Sequence, residues 1–183
     1  MKNLLLFTFC TFFILKDLKA QVPTAMPPDA NVFYNNAIPV IRPQIKDIVL
    51  HTASSVKHYK ANVDSLSQKL RNYNILKGMN NNDIEGITIL IMVQASKDAD
   101  ADLKHLVLDM SRSNQQKREK RSTIQTVSVN NVENKNSSAE EINDMQNLKL
   151  QKIMDRKSRM AEEISYIMQK ISGTELSIIN DLK

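Results

Sequence analysis

The run Ile87-Thr88-Ile89-Leu90-Ile91-Met92-Val93 carries no charge on any side. A helix that is apolar all round must be covered all round. This run therefore constrains the fold more than any other stretch, because the rest of the chain has to supply its cover. Thr88, Ile89, Ile91 and Val93 are β-branched and would also suit a strand. Two features favour helix. No Gly or Pro closes the run, and Ala95, Ala99, Leu103, Leu106 and Met110 continue beyond it at spacings of three or four. The start is marked as well. Asn80, Asn81 and Asn82 are capping residues, and Asn82 with Glu85 has the spacing of a reciprocal cap. The pattern predicts a helix over 83–121, with Ile87, Ile91, Leu103 and Leu106 in its seam.

Composition supports helices elsewhere. Among 183 residues there are 3 Gly and no Trp, and aromatics make up 5%. A sheet protein uses more turn residues and more aromatics. The clearest periodicity lies upstream. Ile45, Val49, Thr52, Val56, Tyr59, Val63, Leu66, Leu70 and Tyr73 alternate at four and three, a heptad seam opposite Lys46, Asp47, Lys57, Lys60 and Lys69. Such a stripe keeps one apolar face toward a partner helix. The spacing predicts a single helix over 43–77, opened by Pro43 and closed by Gly78. A short connection then makes it an antiparallel neighbour of 83–121. A third stripe runs through Leu150, Ile153, Lys157, Met160, Ile164, Ile167 and Ile171, widened by Met154, Ala161 and Met168. Ser138 and Glu141 have the form of a capping box, so this helix is expected over 138–172. Residues 122–137 read as a loop, and 174–183 as a short tail helix.

The expected fold is all-α: an elongated three-helix antiparallel bundle with coiled-coil-like seams over 43–183. Two segments precede it. Residues 1–20 read as a secretory signal peptide: Lys2, then the apolar block Leu4–Leu15, with Ala20 before Gln21. The block is too short for a finished membrane anchor. Its removal would take away Lys2, Lys16, Lys19 and Asp17, lowering the formal charge from +5 to +3. It would also remove Cys10, the one cysteine, leaving the mature chain to be held by apolar packing alone. Residues 21–42 hold Pro23, Pro27, Pro28 and Pro39, with Pro43 just beyond, and read as an extended lead. Val32, Phe33, Tyr34 and Ile38 could dock it as a strap.

No catalytic set is legible. There is no paired cysteine, Gly-rich phosphate loop or Ser-centred nucleophile motif. Asp98, Asp100 and Asp102 have the opening spacing of a calcium loop, but Leu103 stands where that loop needs Gly. His51 and His58 are two helical turns apart, too far to share one zinc ion. The sequence therefore points to no cofactor, no metal and no enzyme. The strongest local signal is basic. Lys117, Arg118, Lys120 and Arg121 end the second helix, and Lys149, Lys152 and Arg156 follow in the third. Together they make a candidate patch for an anionic lipid or glycan; the export signal disfavours nucleic acid.

The functional expectation is an exported, non-enzymatic helical-bundle or coiled-coil protein, periplasmic or extracellular. It would act through protein–protein binding or self-association. The alternative is a membrane-active secreted protein, a pore-former or translocator, using 84–95. Val56, Tyr59, Val63, Leu66 and Leu70, with Ile153, Met160, Ile164 and Ile167, complete the expected seams.

Overall fold

The computed structural model describes residues 25–56, 63–124 and 133–183; for 117 and 120–143 only the backbone is described where it is helical. The signal-peptide segment and Tyr59 lie outside the described residues. The described elements are all helical: α1 Pro28–Ala37, α2 Pro43–Val56, α3 Val63–Arg71, a 3-10 turn Asn74–Leu76, α4 Asn81–Ile124, α5 Glu133–Ile171 and α6 Glu175–Asp181. No strand occurs among them.

α4 is the element that all the other α-helices touch. Its cap forms two residues earlier than the asparagine spacing predicts. Asn80 Oδ1 accepts from the Asp83 N–H at 2.9 Å, and Asp83 Oδ2 accepts from the Asn80 N–H at 3.2 Å. Asn80 and Asp83 thus play the capping-box roles expected of Asn82 and Glu85. The run Ile87–Val93 is buried on every side, as are Ile84, Ala95, Ser96 and Ala99.

The cover comes from all five other helices, α2 among them through its buried Ile45, Val49, Ala53 and Val56. α3 runs antiparallel to α4: Ser67 and Thr88 hydroxyls meet at 3.1 Å, and Arg71 donates to Asn81 Oδ1 at 2.8 Å. α5 is also antiparallel. Lys170 pairs with Glu85 at 3.2 Å, and Lys157 pairs with Asp100 further along. α6 lies over the first turns of α4, where a Cβ on Gly86 would stand 2.5 Å from Ile178 Cγ2 and 3.5 Å from Phe33 Cζ. α1 crosses the same helix, with the Tyr34 hydroxyl donating to Gln94 Oε1. Gly78 and Gly173 take φ +89° and +84°, the left-handed conformation that ends helices.

Three expectations need correction. The rod predicted over 43–77 is α2 and α3, which run in opposite directions. The Arg42 N–H donates to the Leu182 carbonyl at 2.9 Å, tying the start of α2 to α6 and so to the start of α4. Arg71, at the end of α3, reaches that same level. Val49, Ala53 and Val56 of α2 and Val63, Leu66 and Leu70 of α3 are buried. The extended lead is overturned in part. Pro27 and Pro28 open α1 with proline in its first turn, where a missing N–H costs nothing. Pro39 follows its end, and Phe33 and Tyr34 are buried while Val32 is exposed. Finally, α5 begins at Glu133 rather than 138 and α4 reaches Ile124, so the predicted loop 122–137 narrows to 125–132, which lies outside the described residues. Ser138 and Glu141 sit inside α5, where the same three-residue spacing is simply that of helical neighbours.

Candidate functional site

The burial pattern divides α4 in two. Up to Ala99 it is core. Beyond it, Asp102, Leu103, Leu106, Met110 and Ser113 are half-buried, and the remaining described side chains are exposed. α5 mirrors this. Ser158, Met160, Ala161, Ile164, Ile167, Met168 and Ile171 are buried, whereas Gln146, Leu150, Ile153, Met154 and Lys157 are only half-buried. A packed head therefore carries a two-helix arm formed by the far part of α4 and the near part of α5. At about 1.5 Å per residue the arm extends roughly 35 Å.

Two ion pairs fix the register of the arm. From Glu85 to Asp100 along α4, the partner on α5 moves back from Lys170 to Lys157. Continuing from those pairs at about one residue for one, since both helices rise equally, Leu103 lies level with about Ile153, Leu106 with about Leu150, and Met110 with about Gln146. The inner seam is apolar near the head and turns polar at Ser113 and Gln146. Val107, Leu108, Met145 and Leu148 are exposed around the same level. Met145 and Leu148, three residues apart, share one face of α5, and Val107 and Leu108 are neighbours on α4.

The register also places the basic residues. Lys149 and Lys152 are exposed, and Arg156 is half-buried with an interaction of its own. All three stand level with about residues 100–108 of α4. Arg118 is exposed, and Lys117, Lys120 and Arg121 stand on the same stretch of helix. That stretch lies level with about residues 135–140, roughly 15 Å further out. The two basic groups do not form one patch. Instead, Arg112, Lys117, Arg118, Lys120 and Arg121 of α4 are flanked by a segment of α5 carrying Glu133, Glu140, Glu141 and Asp144. Sequence reasoning missed this acidic counterpart. Its signal was present: blocks of opposite sign at mirrored distances from one connection.

Other candidates resolve into structure. Asp98 accepts from Gln94 Nε2 at 2.8 Å, and Asp100 pairs with Lys157. No group of three or more His, Cys, Asp or Glu able to hold a metal ion occurs among the described residues. His51 and His105 are exposed, and His58 lies outside the described residues. Tyr34 is the centre of a small polar cluster. Lys97 Nζ stands 3.8 Å from its ring centroid and donates to Asn35 Oδ1 at 3.3 Å. Burial, and then the charge of Asp98, push the Tyr34 phenol above its ordinary pKa. This cluster fastens α1 to α4. The segment 84–95 is the buried centre of the head, so lipid entry would require the head to open. No described helix is long and apolar enough to cross a membrane.

No family model, curated protein or solved structure matches this chain.

Proposed function

We propose that this chain is an exported, non-enzymatic protein of helical-bundle and coiled-coil type. Its head is a mount, and its arm is the element that binds another protein or a second copy. One observation carries this reading: α4 and α5 run on together far past the core, where their length adds little to the packing of the head. Helices in globular proteins owe most of their stability to a packed apolar face. A long, largely solvated pair suits reach and contact better than it suits stability. The segment 1–20, with its charged start and apolar block, supports export.

The test is an arm deletion in the chain lacking residues 1–20. Replacing 104–153 with a short Gly/Ser turn joins two level positions and leaves the head intact. Light scattering over a range of concentrations, with crosslinking capture from the source cells, is run on both chains. The expected result is association by the full chain, lost on deletion while the head keeps its cooperative melt. A full chain that stays monomeric and captures nothing, or a deletion that associates equally well, overturns the reading.

A further inference from the structure

We infer that one face of the arm, carried by α5 from Met145 to Arg159, is a docking surface for an anionic lipid bilayer. The inference is separate from the reading of the arm as a protein-binding element, and either can fail alone. Lys149, Lys152, Arg156 and Arg159 follow one another at spacings of three, four and three within the unbroken helix α5. Such spacings stack side chains on one face, here over about 15 Å. Lys149, Lys152 and Arg159 are exposed, and Arg156 is half-buried with an interaction of its own. Met145 stands one turn before Lys149, and Leu148 one turn before Lys152; they are 53% and 51% exposed. The stripe therefore opens on two apolar side chains that the head leaves uncovered. Asp155 is the one acid between Met145 and Arg159, and it lies to the side of the stripe. The acids of α4 at this level are engaged elsewhere. Asp98 accepts from Gln94, Asp100 pairs with Lys157, and Asp109 stands 3.8 Å from Arg112. Asp102 has an interaction too.

Charge and the apolar pair together select the partner. A row of cations alone suits any polyanion. A soluble polyanion would leave Met145 and Leu148 in water. A bilayer uses both features: its anionic headgroups attract the cations, and the boundary with its acyl chains takes up the apolar side chains. Lysine and arginine fit this arrangement, since their stems lie along apolar surface while their charged ends stay at headgroup level. Docking leaves the fold as it is. Leu150, Ile153 and Met154 of α5 are half-buried, so a different part of the helix surface faces into the arm. Attachment is therefore peripheral, in keeping with the lack of any described helix long and apolar enough to cross a membrane.

The test is cosedimentation with vesicles of mixed phosphatidylglycerol and phosphatidylcholine. It uses the chain lacking residues 1–20, whose apolar block would bind lipid by itself. Binding is expected to the mixed vesicles, to weaken with added salt, and to be absent with pure phosphatidylcholine. Lys149→Gln, Lys152→Gln and Arg159→Gln together should weaken it roughly a hundredfold. Lys46→Gln, Lys69→Gln and Lys77→Gln make the same change in net charge on the head and should have a much smaller effect. Met145→Ser with Leu148→Ser should weaken vesicle binding roughly tenfold and leave heparin binding unchanged. A second measurement does not depend on how well these variants fold. The chain without residues 1–20 has no cysteine. Leu148→Cys carrying an environment-sensitive fluorophore should shift to the blue on mixed vesicles, while the same label at Gln68→Cys on the head should not. No binding to the mixed vesicles, equal losses from the arm and head sets, or a blue shift at Gln68→Cys alone overturns the inference. Heparin binding without vesicle binding overturns it in favour of a soluble polyanion. Association measured without lipid, and its loss on arm deletion, stands or falls apart from all of these.

Discussion

At Gly86 the packing leaves no room for a methyl group, since its Cβ would meet Ile178 Cγ2 at 2.5 Å. Ile178 is buried and cannot swing away. Helix propensity alone would reward Gly86→Ala by about 1 kcal/mol. Overpacking a filled core costs about 1–3 kcal/mol. The variant is therefore expected to be less stable in urea; a stabilised variant would show that α6 does not press on α4. Asp83 offers a second test. Its Oδ2 is capped by the Asn80 N–H, while its Oδ1 is buried without a partner. Burial raises its pKa, the Asn80 bond opposes that, and the charge of Asp181 adds to it. The folded chain then holds this proton more tightly than the unfolded chain does. Stability on this account is undiminished below the ordinary carboxylate range and falls as pH rises toward the raised folded value. Asp83→Asn keeps an acceptor for the cap and removes the titration. Its stability relative to the parent should improve from acid to neutral pH. A difference independent of pH would remove Asp83 from the acid response.

Elements show where periodicity informs and where it does not. The head and arm of α4 predict different costs for similar truncations. Ile91→Ala empties a fully buried site and should cost about 2–5 kcal/mol. Leu106→Ala, half-buried in the arm, should cost about 1 kcal/mol or less. Chemical melts of the two variants check this, and equal midpoints would contradict the division between head and arm. α4 was legible because Ile87–Val93 demanded cover and the spacing beyond it continued. The reversal between α2 and α3 was not. Val49, Val56, Val63, Leu66 and Leu70 keep one heptad phase straight through, and a stripe states which side is buried, not whether the axis continues. α1 was hidden for a different reason. Proline resists a helix interior, but Pro27 caps this helix, Pro28 is its first residue and Pro39 follows its end. In the arm, the basic run was visible in the sequence. Its acidic counterpart acquired meaning only when Glu85–Lys170 and Asp100–Lys157 set the register.

Taken whole, the molecule draws its head from both sides of the arm. α1, α2 and α3 come before it, while α6 and the far half of α5 come after it. Ile178, Ile179 and Leu182 are buried against partners that leave the ribosome long before them. Contacts between distant parts of a chain form slowly, because a large loop must close before they give any return. The bond from Arg42 to Leu182 is such a contact. Until α6 is delivered, the oily middle of α4 has no complete shelter. The nascent polypeptide should therefore stay open and dependent on a holding chaperone until α6 has emerged, and snap shut only then.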